Sequence, residues 1–286
     1  MKLSFFSCLL FSAVVCSDLQ AAEESHHAVS DEVIAQQNSK LAAATKGKGY
    51  GPQSPRDISV KTGSDMRLFA LAPSYEHMNL CNIHMHLNAE HKGGEFTTYA
   101  GNGDGKGMGT GYKYSSTLSA AELKPVSEPI CAGKHGSLHS GDTVEVHYVH
   151  TSAMAVPGVS LGACMTEAIK NPELRVEAQV FVLVNDPKAL DFNKLAAVTM
   201  DDGYNQATSI PDNTGEPVEY AGSTTGPDYN EVASPFQVTW GVRPKVAKVN
   251  IATMGQWCKA NPFNESEAHA VRNLVTNPDL LSKIDD

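Results

Sequence analysis

Three histidines in this chain sit at spacings that suit a metal ion. Asn82-Ile83-His84-Met85-His86 and Glu145-Val146-His147-Tyr148-Val149-His150 both read as strands. A strand sends alternate side chains to one face. Asn82, His84 and His86 therefore share a face, as do Glu145, His147 and Val149. If the two strands are neighbours, His84, His86 and His147 converge. Three neutral nitrogen ligands with an open fourth position describe a catalytic zinc site. Asn82 and Glu145 are placed to accept the other ring N–H of a ligand histidine and so to fix its tautomer. Taken singly, each motif is equally a pair of half-buried strand histidines. His150 points away from the metal face by alternation and reads as structural.

The elements that must hold these residues fit within 286 residues, enough for one large domain or two small ones. Hydrophobic residues make up 41% and charged residues 19%, ordinary for a globular chain. The net charge of −10 argues against nucleic acid as a partner and against an anionic membrane surface. Residues 1 to about 22 read as a secretory signal: Lys2, an apolar run from Leu3 to Val15, then small residues at Ala21-Ala22. That run is too short to span a bilayer, and no later stretch is apolar enough. The mature chain is therefore expected to be secreted or periplasmic, with no integral membrane segment.

Of the cysteines, Cys8 and Cys16 fall in the signal, leaving Cys81, Cys131, Cys164 and Cys258. An even number in an oxidising compartment suggests two disulfides. Three pairings are open. The position of Cys81 and Cys131, each just upstream of a candidate metal strand, favours joining those two.

Along the chain, Ser30 to about Ala44 reads as a helix capped by Ser30, within an arm, residues 23–48, that is helical or flexible. A single domain is expected over 49–286. Arg67–Ala72, Leu80–Leu87, Thr143–Thr151, Arg175–Val184, Gln237–Val242 and Val246–Ile251 read as strands, and the Gly-rich stretch 101–111 as a surface loop. Pro157–Pro172 reads as an insertion with a short helix over Ala163–Lys170, and the tail from Asn264 to about Ile284 as helical. The fold class is mostly β with peripheral helices.

Several motifs resemble the α-class carbonic anhydrases. They are Gln53-Ser54-Pro55, the His84-Met85-His86 strand behind its carboxamide, Ala89-Glu90-His91, Glu145-Val146-His147-Tyr148-Val149-His150, the loop Gly222-Ser223-Thr224-Thr225-Gly226-Pro227, and Val238-Thr239-Trp240. They occur in family order and span most of the mature chain. Leu87 and Thr151 stand where the α class has tryptophan, the segment between Gln53 and His84 is shorter, and the proton-shuttling histidine of many α enzymes has no match. Cys81 to His86, followed by Ala89-Glu90-His91-Lys92-Gly93, is similar to the δ class and its bacterial relatives.

The resemblance implies a twisted, mainly antiparallel sheet holding Zn2+, with Co2+ or Cd2+ able to substitute, in a conical cleft. It implies CO2 and bicarbonate as substrates. In carbonic anhydrases zinc lowers the pKa of bound water to about 7, a figure established for those enzymes rather than read from this chain. The resulting zinc-bound hydroxide attacks CO2. The resemblance gives Thr224 the role of orienting it and Glu90 that of accepting from Thr224; Thr225 takes the role if the loop aligns without a gap. Val149, Trp240 and Val242 are candidates for the apolar wall, and also for plain core. His77, His91, His135 and His139 are available to carry protons. His26 and His27, near the new N-terminus, read as solvated. Asn264-Glu265-Ser266 is an N-glycosylation sequon. Two other readings stay open: a carbonic-anhydrase-like protein that binds metal or a partner without turnover, and a different metal enzyme, such as an esterase or a cupin-type oxygenase whose ligands would include Glu90 or Glu145.

Overall fold

A computed structural model describes residues 28–67, 69–224 and 232–285. The expected signal, His26, His27 and Thr225 lie outside the described residues. The fold is mostly β and centres on a six-stranded mixed sheet. Its strands are β1 (Asn79–Leu87), β2 (Thr143–Thr151), β3 (Leu174–Val184), β4 (Val218–Ser223), β5 (Gln237–Val242) and β6 (Ala247–Asn250). The order is β1-β2-β3-β5-β4, with β6 also paired to β3. β1, β2 and β3 run antiparallel, whereas β5 and β6 each run parallel to β3.

β3 is the centre because it can be buried on both faces. All eleven of its residues are buried, and its near-continuous run of Val, Phe and Leu from Val180 to Val184 suits that place. Phe181 and Leu183 join Ile83, Met85, Val146 and Tyr148 in one core. Val176, Ala178 and Val180 join Val149, Trp240 and Val242 in the other. The site lies on this second side of the sheet. β1 carries a bulge between Leu80 and Asn82. Leu80 and Ile83, three residues apart, consequently face the same core. Were β1 regular through Cys81, Leu80 would share the face of Asn82, His84 and His86.

Helix α1 (Asp31–Thr45) packs Leu41 against Val275, Leu280 and Leu281. Gln37 ties it to the Gly-rich loop by donating Nε2–H to Gly105 O at 2.8 Å.

Four expectations are corrected. The tail is not helical: residues 264–285 are irregular except for a 3-10 turn at Pro278–Leu280. Asn277-Pro278 and the β-branched Val271, Val275 and Thr276 oppose a helix there. The helix of this region lies earlier, as α2 (Ile251–Lys259), started by the Asn250 side chain accepting from Ala252 N–H at 3.0 Å. The expected helix over Ala163–Lys170 is a 3-10 turn at Leu161–Cys164, followed by a turn in which Thr166 and Ile169 bond each other, Thr166 Oγ1 accepting from Ile169 N–H at 3.0 Å. The described residues of 67–72 form no strand.

The fourth correction is the disulfide pairing, which is Cys81–Cys164 and Cys131–Cys258. Cys81 and Cys131 belong to opposite cores, so proximity in sequence to the metal strands does not bring them together. The bridges span 83 and 127 residues, and in the chain-entropy description each contributes about 4.5–5 kcal/mol. Peptide mapping of unreduced protein is expected to recover these two linked pairs and no free thiol among the four. A peptide joining Cys81 to Cys131 would contradict the fold.

Candidate metal centre

The register of β1 on β2 places His84 opposite His147 and His86 opposite Glu145. One ring nitrogen from each of His84, His86 and His147 lies within 4.8 Å of the others. The three rings face a cavity of about 960 Å3 that Glu90, Thr224 and Trp240 also line.

The other ring nitrogen of each histidine has a partner that decides its proton. His84 Nδ1 lies 2.7 Å from Asn82 Oδ1. Asn82 Nδ2 donates to Gly158 O at 3.0 Å, so the oxygen must be the end that faces His84. His84 Nδ1 therefore carries the hydrogen. His86 Nδ1 donates to the Ala270 carbonyl at 2.7 Å. His147 Nε2 donates to Glu145 Oε1 at 2.7 Å. The bare nitrogens are then Nε2 of His84, Nε2 of His86 and Nδ1 of His147. Two of these, His147 Nδ1 and His84 Nε2, face each other across 3.2 Å. Two lone pairs opposed at that distance repel, and a shared cation satisfies both.

Electrostatics favours the neutral ligand forms. Burial pushes His84 well below the usual imidazole range, and the neighbouring His147 and His86 add to it. Burial likewise lowers His86 to about 4. Burial opposes ionisation of Glu145, but the neighbouring His91 and the hydrogen bonds from His147 and His91 overcome it and hold the carboxyl well below its ordinary value. Glu145 is thus an anion at neutral pH that polarises His147.

A second cluster, His91, Glu145 and His147, is also close enough to hold an ion. Its polar atoms are already engaged with one another. His91 Nδ1 meets Glu145 Oε1 at 2.7 Å, and His91 Nε2 meets Tyr220 Oη at 2.7 Å. Neither His91 nor Glu145 lines the cavity, so this cluster is the support of the first group rather than a rival. The chain of bonds continues from Tyr220 Oη to Ser54 Oγ at 3.0 Å and from Ser54 Oγ to Ser223 N–H at 3.1 Å. It ends one residue before Thr224.

Other expected site residues fall as follows. Thr224 lines the cavity, and its N–H donates to Phe236 O at 3.0 Å. Glu90 Oε1 accepts from Arg272 N–H at 3.1 Å. Trp240 stands edge-on to the His147 ring, 4.9 Å between centroids. Val149 and Val242 do not reach the cavity. Val149 lies opposite Asn82 on one side and Val176 on the other, and both valines pack in the core. His91 is fully buried with both ring nitrogens engaged, which leaves it no route to solvent. His135 lines the cavity, and His139 is exposed beside Asp142.

Sequence reasoning missed the tail. Residues 269–272 run beside β1, with His269 N–H donating to Met85 O at 2.8 Å and Leu87 N–H to His269 O at 3.0 Å. This brings Ala270 O to His86, Arg272 N–H to Glu90, and the His269 ring onto that of His84, 5.5 Å between centroids. His269 also meets Glu265 at 2.8 Å. Pro262, Asn277-Pro278 and the β-branched residues were the available sign that this stretch is extended.

A mostly β protein with a buried group of three histidines able to hold a metal is thus defined. A profile of the delta carbonic anhydrase family matches residues 75–253, and the chain belongs to that family. A search of curated proteins finds no match. Among solved structures, the chain is similar to an alpha-carbonic anhydrase of Photobacterium profundum, at 18% identity and TM-score 0.30 over 85% of this chain and 93% of that one. It is similar to a hyperthermostable carbonic anhydrase from an active hydrothermal vent chimney, at 15% identity and TM-score 0.29 over 83% and 87%. A third is the alpha-carbonic anhydrase of Thermovibrio ammonificans in complex with sulfanilamide, at 17% identity and TM-score 0.27 over 77% and 82%.

His150, on the opposite face, offers a clean pH test. It is fully buried, with Nε2 unpartnered among the described residues, and burial lowers it from 6.5 to about 3. The unfolded chain therefore binds this proton first. The stabilisation is complete above about pH 6.5 and is lost as pH falls toward 3. His150→Asn should flatten the decline of melting temperature across that window, measured by thermal scans at stepped pH. An unchanged slope would show that His150 does not titrate this way.

Proposed function

We propose that this chain is an exported zinc carbonic anhydrase, interconverting CO2 with bicarbonate and a proton. The observation that carries the reading is the direction of the three rings. Asn82 Oδ1, Ala270 O and Glu145 Oε1 each hold one N–H, leaving one bare nitrogen on each of three rings that line one cavity and bring ring nitrogens within 4.8 Å of one another. Neutral imidazole nitrogens in a three-histidine set suit zinc, which when bound supplies a water nucleophile already deprotonated near neutral pH. His84 and His86 need lose no proton to ligate, because burial keeps them neutral. Glu145 makes His147 Nδ1 a better donor by drawing on the hydrogen at Nε2.

Around this centre, Trp240 supplies an apolar wall suited to CO2. Thr224 orients the nucleophile by accepting its hydrogen and passes its own to Glu90, whose carboxyl is held from behind by Arg272 N–H. A cupin-type oxygenase is disfavoured, since Glu145 spends its oxygens on His91 and His147, and among the described residues Glu90 is not grouped closely enough with the three rings to share an ion. The disulfides, with no described helix long and apolar enough to cross a membrane, support release into an oxidising compartment.

The test is metal analysis with a stopped-flow CO2 hydration assay, before and after chelation. Activity should vanish with zinc and return on its addition; hydration that survives complete demetallation would end the proposal. His147→Ala should lose zinc and hydration together. Thr224→Ala should keep one zinc per chain while turnover falls roughly a hundredfold, the scale for one positioned catalytic hydrogen bond. Glu90→Gln should lose a similar amount, and the double variant much less than the product of the two, because they act as a unit. Near-normal turnover in Thr224→Ala would move the role to Thr225.

A further inference from the structure

The segment between β2 and β3, residues 152–173, forms one wall of the cavity through Val159, Ser160 and Leu161. Within it, Ala153, Ala155 and Cys164 are buried in the second core, while Met154, Val156 and Val159 between them are exposed. Its first residues are held by side-chain amides: Asn79 Nδ2 donates to Ala153 O at 3.1 Å and Asn205 Nδ2 to Ala155 O at 3.3 Å. Beyond them a single residue is clamped twice. Gly158 N–H donates to Cys81 O at 2.9 Å, and Gly158 O accepts from Asn82 Nδ2 at 3.0 Å. Six residues further on, the segment is joined to the same point of β1 by the Cys81–Cys164 disulfide. Cys81 is the bulge residue, and Asn82 follows it.

A carboxamide has nearly the same shape either way round, so its direction is set by its partners. Gly158 O can only accept. It takes the NH2 end of Asn82 and turns Oδ1 onto His84 Nδ1, 2.7 Å away. With the amide reversed, Nδ2 would face Nδ1, and the His84 hydrogen would move to Nε2, the nitrogen that faces His147.

We propose that the Gly158 segment, anchored by Cys81–Cys164, is a positioning device that sets metal affinity by fixing the direction of the Asn82 carboxamide and with it the tautomer of His84. This rests on His84 being a metal ligand. The disulfide holds this cavity-wall segment close enough for one carbonyl to govern a buried amide. The second bridge, Cys131–Cys258, makes no bond to a ligand histidine or its partner and serves as the internal control.

The experiment measures zinc affinity by competition with a chromophoric chelator. Cys81→Ala/Cys164→Ala should bind zinc about tenfold more weakly, within the range for loss of a ligand's outer partner. Cys131→Ala/Cys258→Ala should lower the melting temperature and leave affinity unchanged. Asn82→Ala should weaken binding at least as much as loss of the first bridge, and combining the two should add nothing further. Unchanged affinity in folded Cys81→Ala/Cys164→Ala, or a full additional loss on the Asn82→Ala background, overturns the proposal. If removal of the bridge prevents folding, NMR of the wild-type apo-protein decides. A single Nδ1–H tautomer at His84 and slowly exchanging Asn82 amide protons support it; an Nε2–H tautomer or a fast-exchanging amide overturns it. Wild-type protein that binds no zinc overturns the metal reading and this inference with it, whereas normal wild-type binding with unaffected variants overturns this inference alone.

Discussion

The site depends on the register of one antiparallel pair. With His84 opposite His147, two imidazoles from different strands meet across the shortest side-chain separation a sheet offers. A slip of one residue would exchange faces, sending His147 into the apolar core and Tyr148 toward the cavity. The register is guarded by what lies behind it. Ile83, Met85, Val146 and Tyr148 are all fully buried in a single core, so moving the histidines would expose the hydrophobic residues that hold the sheet together.

Placing histidines on a buried face creates a second requirement, since imidazoles that gain a proton there cannot bind metal. The fold meets it unevenly. His84 and His86 are kept neutral by burial, while His147 faces an anion, Glu145, that is itself fully buried. A buried carboxylate is costly unless its oxygens are bonded. Those of Glu145 meet His147, the ring of His91 and the N–H of His91. His91 in turn leans on Tyr220 and, through Ser54, on Ser223. The support of His147 and the placement of the loop that presents Thr224 are therefore parts of one hydrogen-bonded structure.

The remaining ring partners come from irregular backbone. Ala270 O reaches His86 from the tail, and Gly158 O reaches Asn82 from the segment after β2. Both acceptors lie outside the regular strands of the sheet. The tail serves because its residues 269–272 run extended beside β1, and the segment after β2 serves because a disulfide ties it to the bulge.

The sequence alone determined the strands that carry the histidines, their shared faces, and the placement of His150 on the opposite face, because period-two alternation is a local property. It also made Asn82 and Glu145 legible as ring partners, since residues two apart on a strand must be neighbours. Six ordered motifs pointed to the family that the profile match then showed. Local reading failed where contacts are distant. The bulge at Cys81 leaves no periodic trace, and the pairing of Cys81 with Cys164 depends on where the segment after β2 folds back. The cavity's indifference to Val149 follows from neighbours on two other strands. The third ring acceptor is a backbone carbonyl 184 residues from His86; every residue carries the same carbonyl, so only the tertiary structure could choose Ala270.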